Sequence, residues 1–206
     1  MKWGSDSPRP LQSNLTAHLV QFFVILNLGD TMKQYIKNEN ILIRSMIKSD
    51  VIKIHQSLCN QGWPSDINKF NHYYEMQKHN ERIIFIASDH GVVLGYVTLS
   101  LNSTYGPWKN TMTPMIIDLN VFQRYQKKGV GKMLMDAAER YAFMHANIVT
   151  LGVGLHHGYG QAQRLYIKRG YIPEGSGIWV SDEIATPYAT VINDDDLNLY
   201  LYKVKG

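Results

Sequence analysis

The stretch Gln126-Lys127-Lys128-Gly129-Val130-Gly131 constrains this chain more than any other, because the apolar run Met115 to Val121 before it reads as a strand and a long amphipathic helix follows it. Strand, glycine loop and helix make a phosphate site. Glycines at the fourth and sixth positions remove the Cβ atoms that would hold a phosphate away. The unpaired N–H groups of the helix's first turn then face the anion, with the positive end of the helix dipole behind them. The pattern alone is common: with Gly at about 7% of residues it recurs by chance in roughly one chain in five of this length. Context supplies the specificity. Val130, Met133, Leu134, Ala137, Ala138 and Tyr141 fall on one helical stripe, while Lys132, Asp136, Glu139 and Arg140 fall on the solvent side.

Two other phosphate loops fail on the same residues. A nucleotide-triphosphate loop needs a glycine at the position of Gln126 and a Ser or Thr after Lys132, where this chain has Met133. The dinucleotide fingerprint is approached only by Gly152-Val153-Gly154 with Gly158 and Gly160, which has the wrong spacing and lies far from any first strand–helix–strand unit.

With 206 residues, 45% hydrophobic and 18% charged, the chain can bury the core of one domain. Its single cysteine, Cys59, excludes an internal disulfide, fits a reducing cytoplasm and reads as a small buried apolar residue. The eight histidines form no helical ligand pair, so no metal is expected; His156-His157 is the only adjacent couple. The +4 charge is spread along the chain, which argues against nucleic acid. Its local cluster, Arg124, Lys127, Lys128 and Lys132, suits attraction of a pyrophosphate and equally suits a solvated helix end. The apolar run Leu19 to Leu28 is too short to span a bilayer, and no cleavage site follows it. Residues 1–31 therefore read as an extension, either an added helix or sequence upstream of a start at Met32, and residues 32–206 as the domain.

The element order runs strand Ile41 to Arg44, helix Lys48 to Leu58, helix Ile67 to Lys78 and strand Arg82 to Ser88. Next come a turn at Asp89-His90-Gly91, a strand Val92 to Leu101 broken by Gly95, and a loop Asn102 to Pro114. The motif strand and helix follow, then strand Ile148 to Gly154, a helix from Gly160, a strand from Tyr171 and a last strand Asn198 to Val204. This is an α/β (α+β) domain: a mixed, mostly antiparallel sheet of about six or seven strands flanked by about four helices.

Ala162 to Tyr171 supplies a second motif. Ala162, Leu165, Tyr166 and Arg169 share a helical face, and Gly170 sits where a left-handed C-cap is needed. On spacing alone Tyr166 is a core aromatic or a functional hydroxyl. Three motifs in order, Ile117 to Val121, Gln126 to Gly131 and Ala162 to Tyr171, resemble those of the GNAT-type N-acetyltransferases, over about Ile41 to Val204. One departure stands out: Tyr159 occupies the position, seven before Tyr166, where the family often has Asn.

The resemblance implies acetyl-CoA as co-substrate, held by Leu119, Asn120 and Val121 along the pantetheine arm and by Gln126, Lys127, Lys128, Gly129, Val130, Gly131 and Lys132 at the pyrophosphate. It implies direct attack by an amine in a ternary complex, with Tyr166 protonating the departing thiolate. A phenol with a pKa near 10 is a reasonable donor to a thiolate whose own pKa is about 8.5. Asp118, out of phase with Ile117, Leu119 and Val121, is the best-placed general base, or else a structural carboxylate; His156 and His157 are weaker candidates. Trp63, Tyr105, Trp108, Trp179 and the run Asp194-Asp195-Asp196 would border the acceptor cleft and suit a cationic small molecule or a peptide amine. A small-molecule amine is the expected partner, with a protein or peptide acceptor or a non-catalytic acyl-CoA sensor as rivals, and a homodimer is left open.

Overall fold

In the computed structural model, residues 32–38 and 40–206 are described, and the expected extension over 1–31 lies outside them. The described strands are β1 (Gln34–Lys37), β2 (Leu42–Ser45), β3 (Ile83–Asp89), β4 (Val92–Ser100), β5 (Met115–Val121), β6 (Ile148–Gly154), β7 (Ile172–Val180), β8 (Glu183–Ile184) and β9 (Leu197–Val204). The helices are α1 (Asp50–Asn60), α2 (Ile67–Lys78), α3 (Val130–Ala142) and α4 (Gly160–Lys168). All nine strands join one sheet in the order β1-β2-β3-β4-β5-β6-β9-β7-β8, and every described pairing is antiparallel except β5 with β6. The count exceeds the expected six or seven because β1 and β8 are short edge strands without a clear period-two signal.

The two faces of the sheet carry different helices. Leu134, Ala138 and Ala142 of α3 and Tyr166 of α4 are buried against Phe85, Val97, Leu99, Val149 and Leu201. On the opposite face Val51, Ile54 and Leu58 of α1 and Phe70, Tyr73 and Tyr74 of α2 are buried against Ile84, Ile86 and Tyr96. Local chemistry fixes the ends: Asp66 caps α2 by accepting from Asn68 N–H at 2.8 Å, Gly170 ends α4 at φ 86°, and His90 with Gly91 turns β3 into β4 at φ 44° and 82°.

Three expectations are corrected. Gly95 does not break β4; a Cβ there would stand 2.4 Å from the Asn120 carbonyl, so its role is close approach of β4 to β5. Glu139 is not on the solvent side: it is 5% exposed because Arg169 and Lys203 both reach it, at 2.6 and 2.7 Å. Cys59 is exposed, near His55 at 3.8 Å, rather than buried.

A buried ion pair ties α1 to the sheet. Arg44 on β2 donates to Asp50 through Nη1 at 2.6 Å and Nη2 at 2.9 Å, and Asp50 also accepts from Ile47 N–H at 2.9 Å. Removing one partner strands the other charge away from water, a loss of about 3–5 kcal/mol. Urea denaturation of Asp50→Ala should show that loss, and a double replacement of Arg44 and Asp50 by Met and Leu should recover most of it. A single-site cost below about 1 kcal/mol would mean that the pair is screened by solvent.

Candidate active site

The loop between β5 and α3 is built to leave donors free. Gly129, at φ 80°, caps α3 with no side-chain hydrogen bond, so the N–H groups of the helix's first turn are not taken by a capping side chain. Lys127, at φ 59°, and Gly129 both adopt left-handed backbone, which turns successive N–H groups to one side. Gln126 explains its own place in the pattern: its Nε2 donates back to the Val121 carbonyl at 3.0 Å and pins the loop to the strand. A Cβ at Gly129 would meet nothing within 4 Å, so the loop opens outward. At Gly131 it would touch Val121 and Leu165 only at ordinary contact distances of 3.6 and 3.9 Å. Position 129 thus requires glycine for its backbone, whereas position 131 has room for alanine. Lys127 and Lys128 are exposed beside the loop, and Lys132 pairs with Asp136 at 2.8 Å.

Next to this loop β5 and β6 part. Their pairing is confined to Met115 with Thr150 and Ile116 with Leu151, so the backbone of Leu119, Asn120 and Val121 is not paired with β6. The cause is a bulge: Thr98 pairs with Ile117 and Tyr96 with Asn120, leaving Asp118 and Leu119 opposite one residue of β4, with Asp118 at φ 58°. The bulge corrects the expected alternation. Ile116, not Ile117, joins Leu119 and Val121 on the α3 face. Asn120 adds an enclosed Oδ1 without a donor. Unpaired strand edge, enclosed acceptor and open glycine loop fit an extended amide-bearing arm that ends in a pyrophosphate.

Asp118 points to the α2 face, as the sequence placed it, and three groups meet it there. Tyr73 donates at 3.0 Å, Tyr96 at 3.4 Å, and Lys69 Nζ lies 2.7 Å away. Burial first, and the Asp118 charge second, push the Tyr73 and Tyr96 hydroxyls well above the usual tyrosine range, so both remain donors. Sequence reasoning did not find Lys69, Tyr73 or Tyr96. Lys69 and Tyr73 lie four residues apart on α2, but what they face depends on the bulge.

Tyr166, 6% exposed, packs its ring 5.9 Å from that of Tyr171. Burial, then Tyr159, then Asp118 push its hydroxyl upward, so Tyr166, Tyr159 and Asp118 lie within electrostatic reach of one another. Tyr159 meets the His156 ring edge-on at 4.6 Å and donates to Asp195 at 2.9 Å, and its ring fills the space a Cβ at Gly154 would need. His156 accepts from Gly158 N–H through Nδ1 at 3.1 Å, which places its proton on Nε2, donated to Asp195 at 2.9 Å. Both ring nitrogens are thus engaged. Asp195 is held below the usual carboxylate range by His156 first and Tyr159 second.

The expected acceptor border is scattered. Trp63 packs on the α1–α2 core, Trp108 against Tyr202 at 6.1 Å and Trp179 against Tyr200 at 5.4 Å. Asp194 caps Asp196 N–H in its own loop. The loop after Tyr105 packs on Tyr200, whose ring fills the space a Cβ at Gly106 would need. The Tyr105 loop is strapped to the β7–β8 turn by Asp182, which takes Gly106 N–H and Lys109 Nζ. No group of three metal-ligating side chains occurs among the described residues.

No curated protein matches the sequence. Similar solved structures include an N-acetyltransferase from Staphylococcus aureus Mu50 (18% identity, TM-score 0.60, 81% of this chain and 99% of that one). Spermidine N-acetyltransferase from Vibrio cholerae, solved with CoA and spermine, is 17% identical (TM-score 0.58, 81% and 96% covered). The ribosomal-protein-S18-alanine N-acetyltransferase of Escherichia coli is 13% identical (TM-score 0.56, 79% and 92% covered). At these identities the likeness establishes the fold alone. The model of the acetyltransferase (GNAT) family matches residues 49–171, more than half of the chain and all three motifs. With that match on a glycine loop and parted strands of the right form, the chain belongs to the GNAT family of acyl-CoA-dependent N-acyltransferases.

Proposed function

We propose that this chain moves an acetyl group from acetyl-CoA to the primary amine of a small molecule, in a ternary complex formed by residues 32–206. The glycine loop with free helix N–H groups beside the parted strands β5 and β6 carries the reading. Gln126 to Lys132 hold the pyrophosphate, and the free backbone of Leu119, Asn120 and Val121 pairs with the pantetheine amides. A loop packed on Tyr200 and tied down by Asp182 favours a small amine over a folded protein surface.

The amine nitrogen attacks the acetyl carbon, the C–N bond forms, the C–S bond breaks, and the sulfur leaves as thiolate. Asp118 draws in the ammonium, which displaces the half-exposed Lys69 from the carboxylate, and then takes its proton. Tyr166 gives a proton to the sulfur, and the second proton that the nitrogen sheds as the amide forms passes to solvent, from which Tyr166 is reprotonated. Its raised pKa keeps it protonated at any physiological pH, and the apolar surroundings that raise it disfavour the thiolate as well, so the two remain matched.

Tyr166→Phe keeps the packed ring and removes the acid, so acetyl-CoA affinity should hold while turnover falls by about 10² to 10⁴-fold, less with an acyl donor of lower thiol pKa. Wild-type Tyr166 should cause no loss of rate below about pH 10. Steady-state kinetics at saturating acetyl-CoA decide it, and a change within about twofold, with chemistry rate-limiting, would return Tyr166 to packing alone.

At the loop, Gly129→Asp should abolish acetyl-CoA binding in calorimetry, because a carboxylate would stand where the N–H groups meet the pyrophosphate. Gly131→Ala should leave affinity within a few fold. A folded Gly129→Asp protein with wild-type affinity would remove the phosphate assignment.

A further inference from the structure

We infer that the acceptor carries an oxyanion of its own, bound by Arg82, so that the substrate class is an amino acid or a similarly short aminoalkyl anion rather than a polyamine; this rests on the acetyl-transfer reading above. Arg82 precedes β3, two residues before Ile84, and therefore points to the α2 face, the face of Tyr73, Tyr96 and Asp118. It is 8% exposed, and its Nε is enclosed without a hydrogen-bond partner. No carboxylate lies within ion-pairing distance of it among the described residues, although every other buried charge has one: Arg44 has Asp50, and Glu139 has Arg169 and Lys203. A buried guanidinium left unpaired is costly, and one held beside an acceptor site is a binding group awaiting its anion.

Its position relative to the chemistry is given by Tyr73. The Arg82 guanidinium carbon lies 5.0 Å from the centre of the Tyr73 ring, whose hydroxyl donates to Asp118 at 3.0 Å. One tyrosine ring therefore separates the cation from the carboxylate proposed to receive the ammonium. An acceptor with an amine at one end and a carboxylate or phosphate at the other matches that polarity, since a guanidinium fork takes either oxyanion through two N–H groups. A polyamine would bring a second cation towards Arg82.

The test compares matched acceptors on the wild-type enzyme by acetyl-CoA consumption: amino acids against their amides, phosphoethanolamine against ethanolamine, and spermidine. The oxyanion form should exceed its neutral counterpart in kcat/KM by at least about 10²-fold, and the preferred pair tells carboxylate from phosphate. Arg82→Gln should erase that preference through KM for the anionic acceptors, with acetyl-CoA affinity unchanged, and Arg82→Lys should restore part of it. Equal rates for acids and amides, or a loss in Arg82→Gln that is the same for both, would make Arg82 a support for the Tyr73 ring and overturn the inference while acetyl transfer stands. Tight acetyl-CoA binding with no transfer to any amine would overturn both, and transfer to spermidine alone would overturn this inference only.

Discussion

One residue out of register organises the site. Asp118 adopts left-handed backbone within a strand, which costs an L-residue about 1–2 kcal/mol, and three contacts to its side chain offset the cost, from Tyr73 and Lys69 of α2 and Tyr96 of β4. The bulge directs β5 away from β6 after only two paired residues. Backbone groups that a regular parallel pair would consume stay available, which is what a co-substrate with its own amide groups needs. The same distortion that opens the strand also aims a carboxylate at the opposite face.

The sheet therefore separates two tasks. On the α3 and α4 face lie the glycine loop, Tyr166 and Tyr159, to which the proposed reaction gives the acyl donor. On the α1 and α2 face lie Tyr73, Tyr96, Lys69 and Arg82, to which the proposed reaction gives the acceptor. The gap between β5 and β6 is where the two can meet, so a ternary complex needs no movement of an acyl group through the protein. Around this seam the charges are mostly committed. Arg169 links Asp136 and Glu139 of α3 at 2.7 and 2.6 Å, and Lys203 of β9 completes the set, so the second motif holds α3, α4 and the sheet together as well as carrying Tyr166. That dual use explains an arginine just before the terminating glycine.

The loop shows how far a pattern can be turned into chemistry. Its glutamine proved to be a strand anchor, its first glycine a left-handed cap and its second a site of ordinary packing, and each of these roles follows from local geometry. Gly95 shows the limit. Read along the chain it interrupts a strand; in the sheet it lets the Asn120 carbonyl approach to a distance no Cβ would permit.

The sequence by itself determined the elements and the succession of strand, glycine loop and helix. Helix α2 spans Ile67–Lys78, β5 Met115–Val121 and β6 Ile148–Gly154, as their periodicity and flanking turns require, because apolar spacing and capping are properties of contiguous residues. The form of the glycine loop was legible for the same reason, since strand, glycines and helix adjoin in the chain. Only the tertiary structure decided the acceptor side. The bulge arises from pairing between β4 and β5, the company of Asp118 comes from residues 22 to 49 positions away, and Arg82 has Tyr73 but no carboxylate beside it among the described residues. Contacts across that separation leave no period in the sequence, so they become visible only when the sheet brings them together.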